Sequence, residues 1–322
     1  MVGRLIACAS LGVSAAAVAQ QESLDEAWFT GPMLAPNAAT LPQGHVLLEP
    51  YLYDLISNGH FDSSGGRHSG PYEHDVGSQG YLLYGLTDRI TAGMIPRFSY
   101  DEPAGAANSS GIDVGDITLQ AGYGLTRYAP GETMMPATAI VVQLTVPTGR
   151  YDQLRRASDG VGAGAWTGAL AFYSQDYFWM PNGRILRLRL DLTYAVSTSV
   201  GLRDESVYGT PLGFRGRAWP GDGFTADAAA EYSLTSRWVL AFDVVYQNNA
   251  NTRVTGLVTA PEGGAPEGFA TDSGAAYSIA FAPAIEYNWS SRIGTLLGVR
   301  IIELGRNTSA SLTPAIALNM VF

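Results

Sequence analysis

Ser311-Leu312-Thr313-Pro314-Ala315-Ile316-Ala317-Leu318-Asn319-Met320-Val321-Phe322 ends the chain, and these residues alternate almost without a break. Leu312, Pro314, Ile316, Leu318, Met320 and Phe322 share one parity. Ser311, Thr313, Ala315, Ala317 and Asn319 share the other, with Val321 the one bulky apolar residue on that side. Successive strand side chains point to opposite faces, so the segment reads as a strand with a greasy side and a small or polar side. Two settings fit: an ordinary half-buried strand, or a barrel wall whose outer face meets lipid. The rest of the sequence separates them.

The segment 185–196 repeats the scheme with charge. Leu186, Leu188, Leu190, Leu192, Tyr194 and Val196 alternate with Arg187, Arg189, Asp191, Thr193 and Ala195. Trp238, Leu240, Phe242, Val244 and Tyr246 stand opposite Asp243 and Gln247. Tyr277, Ile279, Phe281, Ile285 and Tyr287 stand opposite Ser278, Glu286 and Asn288. A charge facing lipid costs about 2–4 kcal/mol at the bilayer midplane, so in a barrel these charges face the lumen.

A turn recurs between such segments. Tyr84-Gly85-Leu86-Thr87-Asp88-Arg89 is echoed by Tyr123-Gly124-Leu125-Thr126-Arg127, by Tyr232-Ser233-Leu234-Thr235-Ser236-Arg237 and, loosely, by Tyr287-Asn288-Trp289-Ser290-Ser291-Arg292. Asp, Ser, Thr and Asn favour tight turns by bonding to nearby backbone, and the tyrosines suit a membrane interface. Strands are predicted near 43–54, 74–86, 89–100, 114–125, 136–147, 164–177, 184–198, 223–235, 237–248, 274–288, 292–303 and 310–322. Long connections at 55–73, 101–113, 148–163, 199–222 and 249–273 alternate with tight ones. About twelve antiparallel strands, short turns at one end and long loops at the other describe an all-β transmembrane barrel with both termini on the periplasmic side. A soluble sandwich needs no such asymmetry.

Composition agrees. The chain has 322 residues, 46% of them hydrophobic, with a mean hydropathy of +0.05. Beyond the N-terminus no run approaches the roughly 20 apolar residues of a membrane helix. The formal charge of −10 argues against nucleic acid, which calls for a basic footprint. Every basic side chain apart from histidine is arginine, which carries no functional weight.

Residues 1–19 read as a cleaved export signal: Arg4, an apolar core from Leu5 to Val18, and the small residues Ala17-Val18-Ala19. Leu5-Ile6-Ala7-Cys8 has the look of a lipidation box, but the apolar run continues past it. Cleavage removes the only cysteine and leaves no disulfide or thiol chemistry. Residues 20–42 show no period and form either a periplasmic arm or a plug, or stay disordered. Residues 43–322 are the barrel. Phe322 resembles the terminal aromatic by which bacterial outer-membrane barrels engage their assembly machinery, so that machinery and outer-membrane lipid are the expected partners.

Gly44 to Tyr53, Tyr84 to Arg89, Gly115-Asp116-Ile117-Thr118-Leu119 and Val146-Pro147-Thr148-Gly149 together resemble the family of "meta-pathway of phenol degradation" proteins, from about residue 40 onward. The resemblance implies an outer-membrane barrel that moves small hydrophobic or aromatic compounds. It carries no substrate-binding residues across.

By parity, Glu49, Arg97, Asp116, Arg187, Arg189, Asp191, Asp227, Glu231, Asp243, Glu286 and Arg300 point into the lumen. They are read either as a selectivity ring or as an ion-pair network filling a narrow interior. Eight strands leave an interior that side chains fill and 16–18 leave an open channel, so twelve imply a narrow or gated pore.

Catalysis is not expected. An outer-membrane lipase needs a serine and a histidine within reach of each other, whereas His68 and Ser69 are neighbours that would point opposite ways, in a predicted loop. His60, Asp62, His68, Glu73, His74 and Asp75 are metal-ligand types without metal-site spacing, so no metal or cofactor is expected. Gly160-Val161-Gly162-Ala163-Gly164 lacks the Lys-Ser/Thr of a phosphate loop. The sequence therefore implies a channel for passive uptake or efflux of small solutes, with two rivals: a structural or surface-interaction barrel with a closed lumen, and an outer-membrane lipid hydrolase.

Overall fold

The computed structural model describes residues 23–129, 135–259 and 263–322. The signal reading of 1–19 and Cys8 lie outside these residues. In chain order the strands are β1 (Val46–Phe61), β2 (Arg67–Thr87), β3 (Ile90–Ile95), β4 (Arg97–Glu102), β5 (Asp113–Val114), β6 (Ile117–Thr126), β7 (Ala137–Val146), β8 (Thr167–Trp179) and β9 (Ile185–Ser197). They continue as β10 (Val200–Arg203), β11 (Phe214–Trp219), β12 (Gly223–Ser233), β13 (Trp238–Asn249), β14 (Arg253–Val258), β15 (Glu267–Asp272), β16 (Ala276–Ser290), β17 (Ile293–Arg306) and β18 (Thr308–Val321). A single 3-10 turn, Ala157–Asp159, is the only helical element among the described residues.

These strands make a closed antiparallel barrel of 12 staves. β3 and β4 form one stave broken at Pro96, where proline offers no N–H to the ladder. β5 and β6 form another, interrupted at Gly115-Asp116. Closure runs through β1, which pairs with β2 on one side and β18 on the other. Phe322 completes the seam: its N–H donates to the Val46 carbonyl at 2.9 Å, and Val46 donates back at 3.1 Å.

The alternation predicted from sequence is the alternation of the wall. Leu188, Leu190, Leu192, Tyr194 and Val196 face outward and exposed, whereas Arg187, Arg189 and Asp191 are buried inside. Trp238, Leu240 and Phe242 are likewise exposed, and Asp243 is fully buried. At the short-turn end Trp238, Tyr287 and Trp289 pack edge to tilt, with centroids 4.7 and 5.5 Å apart, and Tyr84 and Tyr123 are exposed nearby in the same kind of turn. These amphipathic rings form part of an interfacial girdle.

Two expectations are corrected at the long-loop end. Residues 55–73 are not a long loop: β1 runs to Phe61 and β2 starts at Arg67, joined by a turn at 62–66. His60, His68 and His74 therefore lie on strands, with His60 directly opposite His68 and their rings stacked at 5.2 Å. The stretches 199–222 and 249–273 contain strands, too. β10, β11, β14 and β15 build a separate 4-stranded sheet. Its apolar core joins Val200, Leu202, Phe214, Ala218 and Val254 to Ala165 from the neighbouring loop.

Candidate functional site: the occupied lumen

The strands bring five of the predicted charges together. Antiparallel pairing sets Arg187 opposite Glu231, and the two side chains form a bidentate ion pair, with Arg187 Nε donating to Glu231 Oε2 at 2.6 Å. Arg189 Nε lies 3.1 Å from the same carboxylate oxygen. Glu286 and Asp243 are as deeply buried as Glu231, all at 0% exposure, so each needs a partner in a space with little water.

The partner of Glu286 and Asp243 is the chain's own N-terminal segment. The Thr30 and Gly31 N–H groups donate to Glu286 Oε2 at 2.6 and 3.2 Å. Three successive N–H groups, of Met33, Leu34 and Ala35, converge on the Asp243 carboxylate at 3.1, 3.3 and 3.0 Å. Consecutive backbone N–H groups curved around one anion are a recurrent way of holding a carboxylate. Arg189 Nη1 donates in turn to the Ala35 carbonyl at 2.7 Å, and Asn288 donates to the Trp28 carbonyl at 3.0 Å. The Arg187 guanidinium sits over the Phe29 ring, 4.4 Å from its centroid. Such stacking on a desolvated ring adds to the attraction.

Packing completes the seat. Met33 joins a buried cluster with Ala282, Leu296, Ala315 and Ala317, and Ala38 joins one with Val141, Ala171 and Tyr173. Small wall residues let the segment come close. A Cβ added to Gly294 would stand 2.0 Å from Thr30 Oγ1, so glycine is required there. The segment starts near the short-turn end, where Trp28 N–H reaches the Ser236 carbonyl, and returns to it, where Thr40 reaches the Asp88 carbonyl. Residues 28–41 are thus a loop folded up into the barrel and back.

The other candidates are dispersed. Asp191 and Asp227 are buried directly opposite each other on β9 and β12. Neither Asp191 oxygen nor Asp227 Oδ1 has a hydrogen-bond partner among protein atoms. Asp116 works at the long-loop rim, taking the Gly149 and Ala163 N–H groups at 2.9 and 2.7 Å and so tying two loops to the wall. Glu49 accepts from the Tyr51 hydroxyl at 3.3 Å. Arg97 and Arg300 make no ion pair within 4.0 Å among the described residues, unlike Arg187 and Arg189.

The opposite wall is lined by cavities. Four cavities follow one another by shared walls. The rim cavity holds Asp101, Asp116 and Tyr208, and meets the next at Asp75 and Arg97. That second cavity meets a third at Met33, Leu34, Tyr51 and Tyr81. The third runs along the N-terminal segment and meets the last, at the short-turn mouth, at Ala39 and Thr40. Tyr51, Tyr53 and Tyr81 dominate the middle of this route and are absent from the charge-based candidates. Their signal was legible: Tyr51 and Tyr53 share the parity of Glu49, while Leu48 and Leu52 face out.

His68 Nε2 lies 2.8 Å from Asp62 Oδ2, while the nearby Ser64 hydroxyl donates to Asp62 Oδ1 at 2.7 Å and not to the imidazole, and no group of three or more metal-ligand side chains is gathered among the described residues.

An outer membrane channel from Pseudomonas putida F1 has the same fold, with a TM-score of 0.66 at 16% identity over 90% of this chain and 100% of that one. The beta domain of the Bordetella autotransporter BrkA gives 0.44 at 10% identity over 88% and 100%. The Pseudomonas putida toluene transporter TodX gives 0.36 at 12% identity over 87% and 90%. No curated protein matches in sequence. The family model described as "MetA-pathway of phenol degradation" matches residues 53–294, three quarters of the chain, from within β1 to the start of β17. By that match, the chain belongs to the MetA-pathway of phenol degradation family.

Proposed function

We propose that this protein is a bacterial outer-membrane channel for passive movement of small hydrophobic or aromatic solutes. The observation that carries the reading is the series of cavities linked by shared lining residues, from the long-loop rim to the short-turn mouth of a closed barrel. A lumen that served only to be filled would gain nothing from a lined route along one wall. The P. putida F1 channel shares the fold, and the toluene transporter carries a monoaromatic cargo; both agree with the proposal. In this reading the short turns face the periplasm, residues 1–19 are a cleaved signal, Phe322 guides assembly, and the chain catalyses no reaction. The inward charges divide by role: Arg187, Arg189, Glu231, Asp243 and Glu286 seat the N-terminal segment, and Arg97 and Arg300 border the route. The test is swelling of liposomes containing the folded protein. Phenol and benzyl alcohol should enter faster than into protein-free liposomes of the same lipid, and sugars of two or more rings should show no such gain.

A second reading, a structural barrel with a closed lumen, draws on the buried Arg187–Glu231 pair and the segment lodged against it. It requires no swelling beyond that of protein-free liposomes.

A further inference from the structure

The middle cavity, about 210 Å³, lies between Met33-Leu34 of the N-terminal segment and strands β1, β2, β4 and β18, with Arg300 reaching it from β17. Sites for drug-sized ligands run roughly 300–1,000 Å³, so this one suits a single ring. Three tyrosines line it. Tyr51 and Tyr81 meet edge to face at 6.1 Å between centroids, a geometry that leaves ring surface available to a further aromatic group. Tyr53 lies flat across Gly77 of the neighbouring strand: a Cβ there would fall 2.3 Å from its Cζ.

The charges of the cavity are Arg97, Arg300 and Asp75, two cationic groups to one anionic in a chain whose net charge is −10. The four arginines of the lumen differ sharply. Arg187 and Arg189 are committed to Glu231 and to the N-terminal segment. Among the described residues Arg97 and Arg300 have no ion-pair partner within 4.0 Å: Arg97 bonds to the Tyr53 hydroxyl, and the buried Arg300 Nε has no hydrogen-bond partner. A buried guanidinium N–H without an acceptor is costly, and a planar carboxylate is its natural complement.

Resting on the channel reading above, we propose that this cavity is a subsite for small aromatic anions of the benzoate class, with the ring against Tyr51, Tyr53 and Tyr81 and the carboxylate toward Arg300 and Arg97. The ring meets apolar and π surface on one side, and the charge meets two guanidiniums that no carboxylate pairs on the other. Neither half alone fills the site, so a ring without charge and a charge without a ring both bind more weakly.

The experiment is equilibrium binding to the full-length protein folded in detergent, with benzoate, benzyl alcohol and acetate as probes. Benzoate should bind tightest. Arg97→Gln and Arg300→Gln should each weaken benzoate about tenfold, the loss of one charged hydrogen-bonding partner, and leave benzyl alcohol unchanged. Tyr81→Leu should weaken benzoate and benzyl alcohol alike. If Arg300→Gln fails to fold, Arg97→Gln, at the exposed edge of the cavity, carries the same test. Acetate binding as tightly as benzoate, or benzoate binding unchanged in the arginine variants, overturns the subsite. Solute passage in the swelling assay without benzoate binding overturns the subsite and leaves the channel standing. Benzoate binding without any passage does the reverse.

Discussion

Two halves of the same lumen wall are built from different chemistry. On β9, β12, β13 and β16 the inward side chains include Arg187, Arg189, Glu231, Asp243 and Glu286, buried and bonded to one another or to residues 30–35. On β1, β2, β17 and β18 they are Tyr51, Tyr53, Tyr81, Arg300 and Thr313, lining open space. The charged half works as an anchor and the tyrosine half as a surface. The difference follows from desolvation. Charges shut away from water hold only when paired, so they fix whatever pairs with them. Tyrosines present apolar faces and tie up only a polar tip, as Tyr51 does with Glu49 and Tyr81 with Gln79.

The largest expected effect comes from breaking the anchor at its centre. Glu231→Ala leaves Arg187 and Arg189 buried without their carboxylate, and should cost about 3–5 kcal/mol, read as a lowered unfolding midpoint in denaturant. The outer face supplies the next. Leu188→Arg places a charge in lipid and should cost about 2–4 kcal/mol and block assembly, whereas Thr193→Arg, on the inward parity of the same strand, should still fold into lipid. Equal folding of both would contradict the assignment of faces.

A milder change separates the halves directly. Asp243→Asn keeps the shape but removes the charge that gathers three N–H groups, at about 1–3 kcal/mol for weakened charge-assisted bonds. The barrel should stay folded while residues 33–35 become open to protease or to hydrogen exchange. Gly77→Val acts first on the other half: it displaces the Tyr53 ring and should alter solute passage while the bonds of Glu286 and Asp243 to residues 30–35 stay in place.

The smallest effect lies outside both halves. At the turn 62–66 the Asp62 carboxyl accepts from Ser64 and Gly66 and pairs with His68, which hold it well below the usual carboxylate range, His68 contributing most. A depressed folded pKa means that its stabilisation is fully present above the ordinary aspartate value of about 4 and is lost progressively as pH falls from there through the lower folded value. The turn should therefore keep its hydrogen-exchange protection above about pH 4 and lose it progressively below. Protection unchanged well below about pH 4 would show that the Asp62 contacts do not hold the turn.

The strand parity was legible because lipid imposes it residue by residue: Leu188, Leu190 and Leu192 need no tertiary information to be read as one face. Parity also marked Arg187 and Glu231 as inward neighbours. What filled the lumen was not legible. Residues 28–41 have no period because their N–H groups bond to Glu286, Asp243 and Thr91 side chains rather than to a ladder, and such bonds leave no repeat. The outer ends of β1 and β2 were read as a loop for a related reason. Above the lipid both faces meet water, so Asn58, His60, Arg67 and Glu73 break the alternation while the backbone pairing continues. The 4-stranded sheet of the long loops escaped because its strands are as short as Val200–Arg203.

Residues 28–41 occupy the charged half of the lumen and narrow the remaining space to the tyrosine half. Planar-bilayer conductance of the folded protein, intact and lacking residues 23–41, measures it. The intact barrel should show small conductance steps and the shortened one steps several-fold larger. Equal steps from two correctly folded barrels would contradict it.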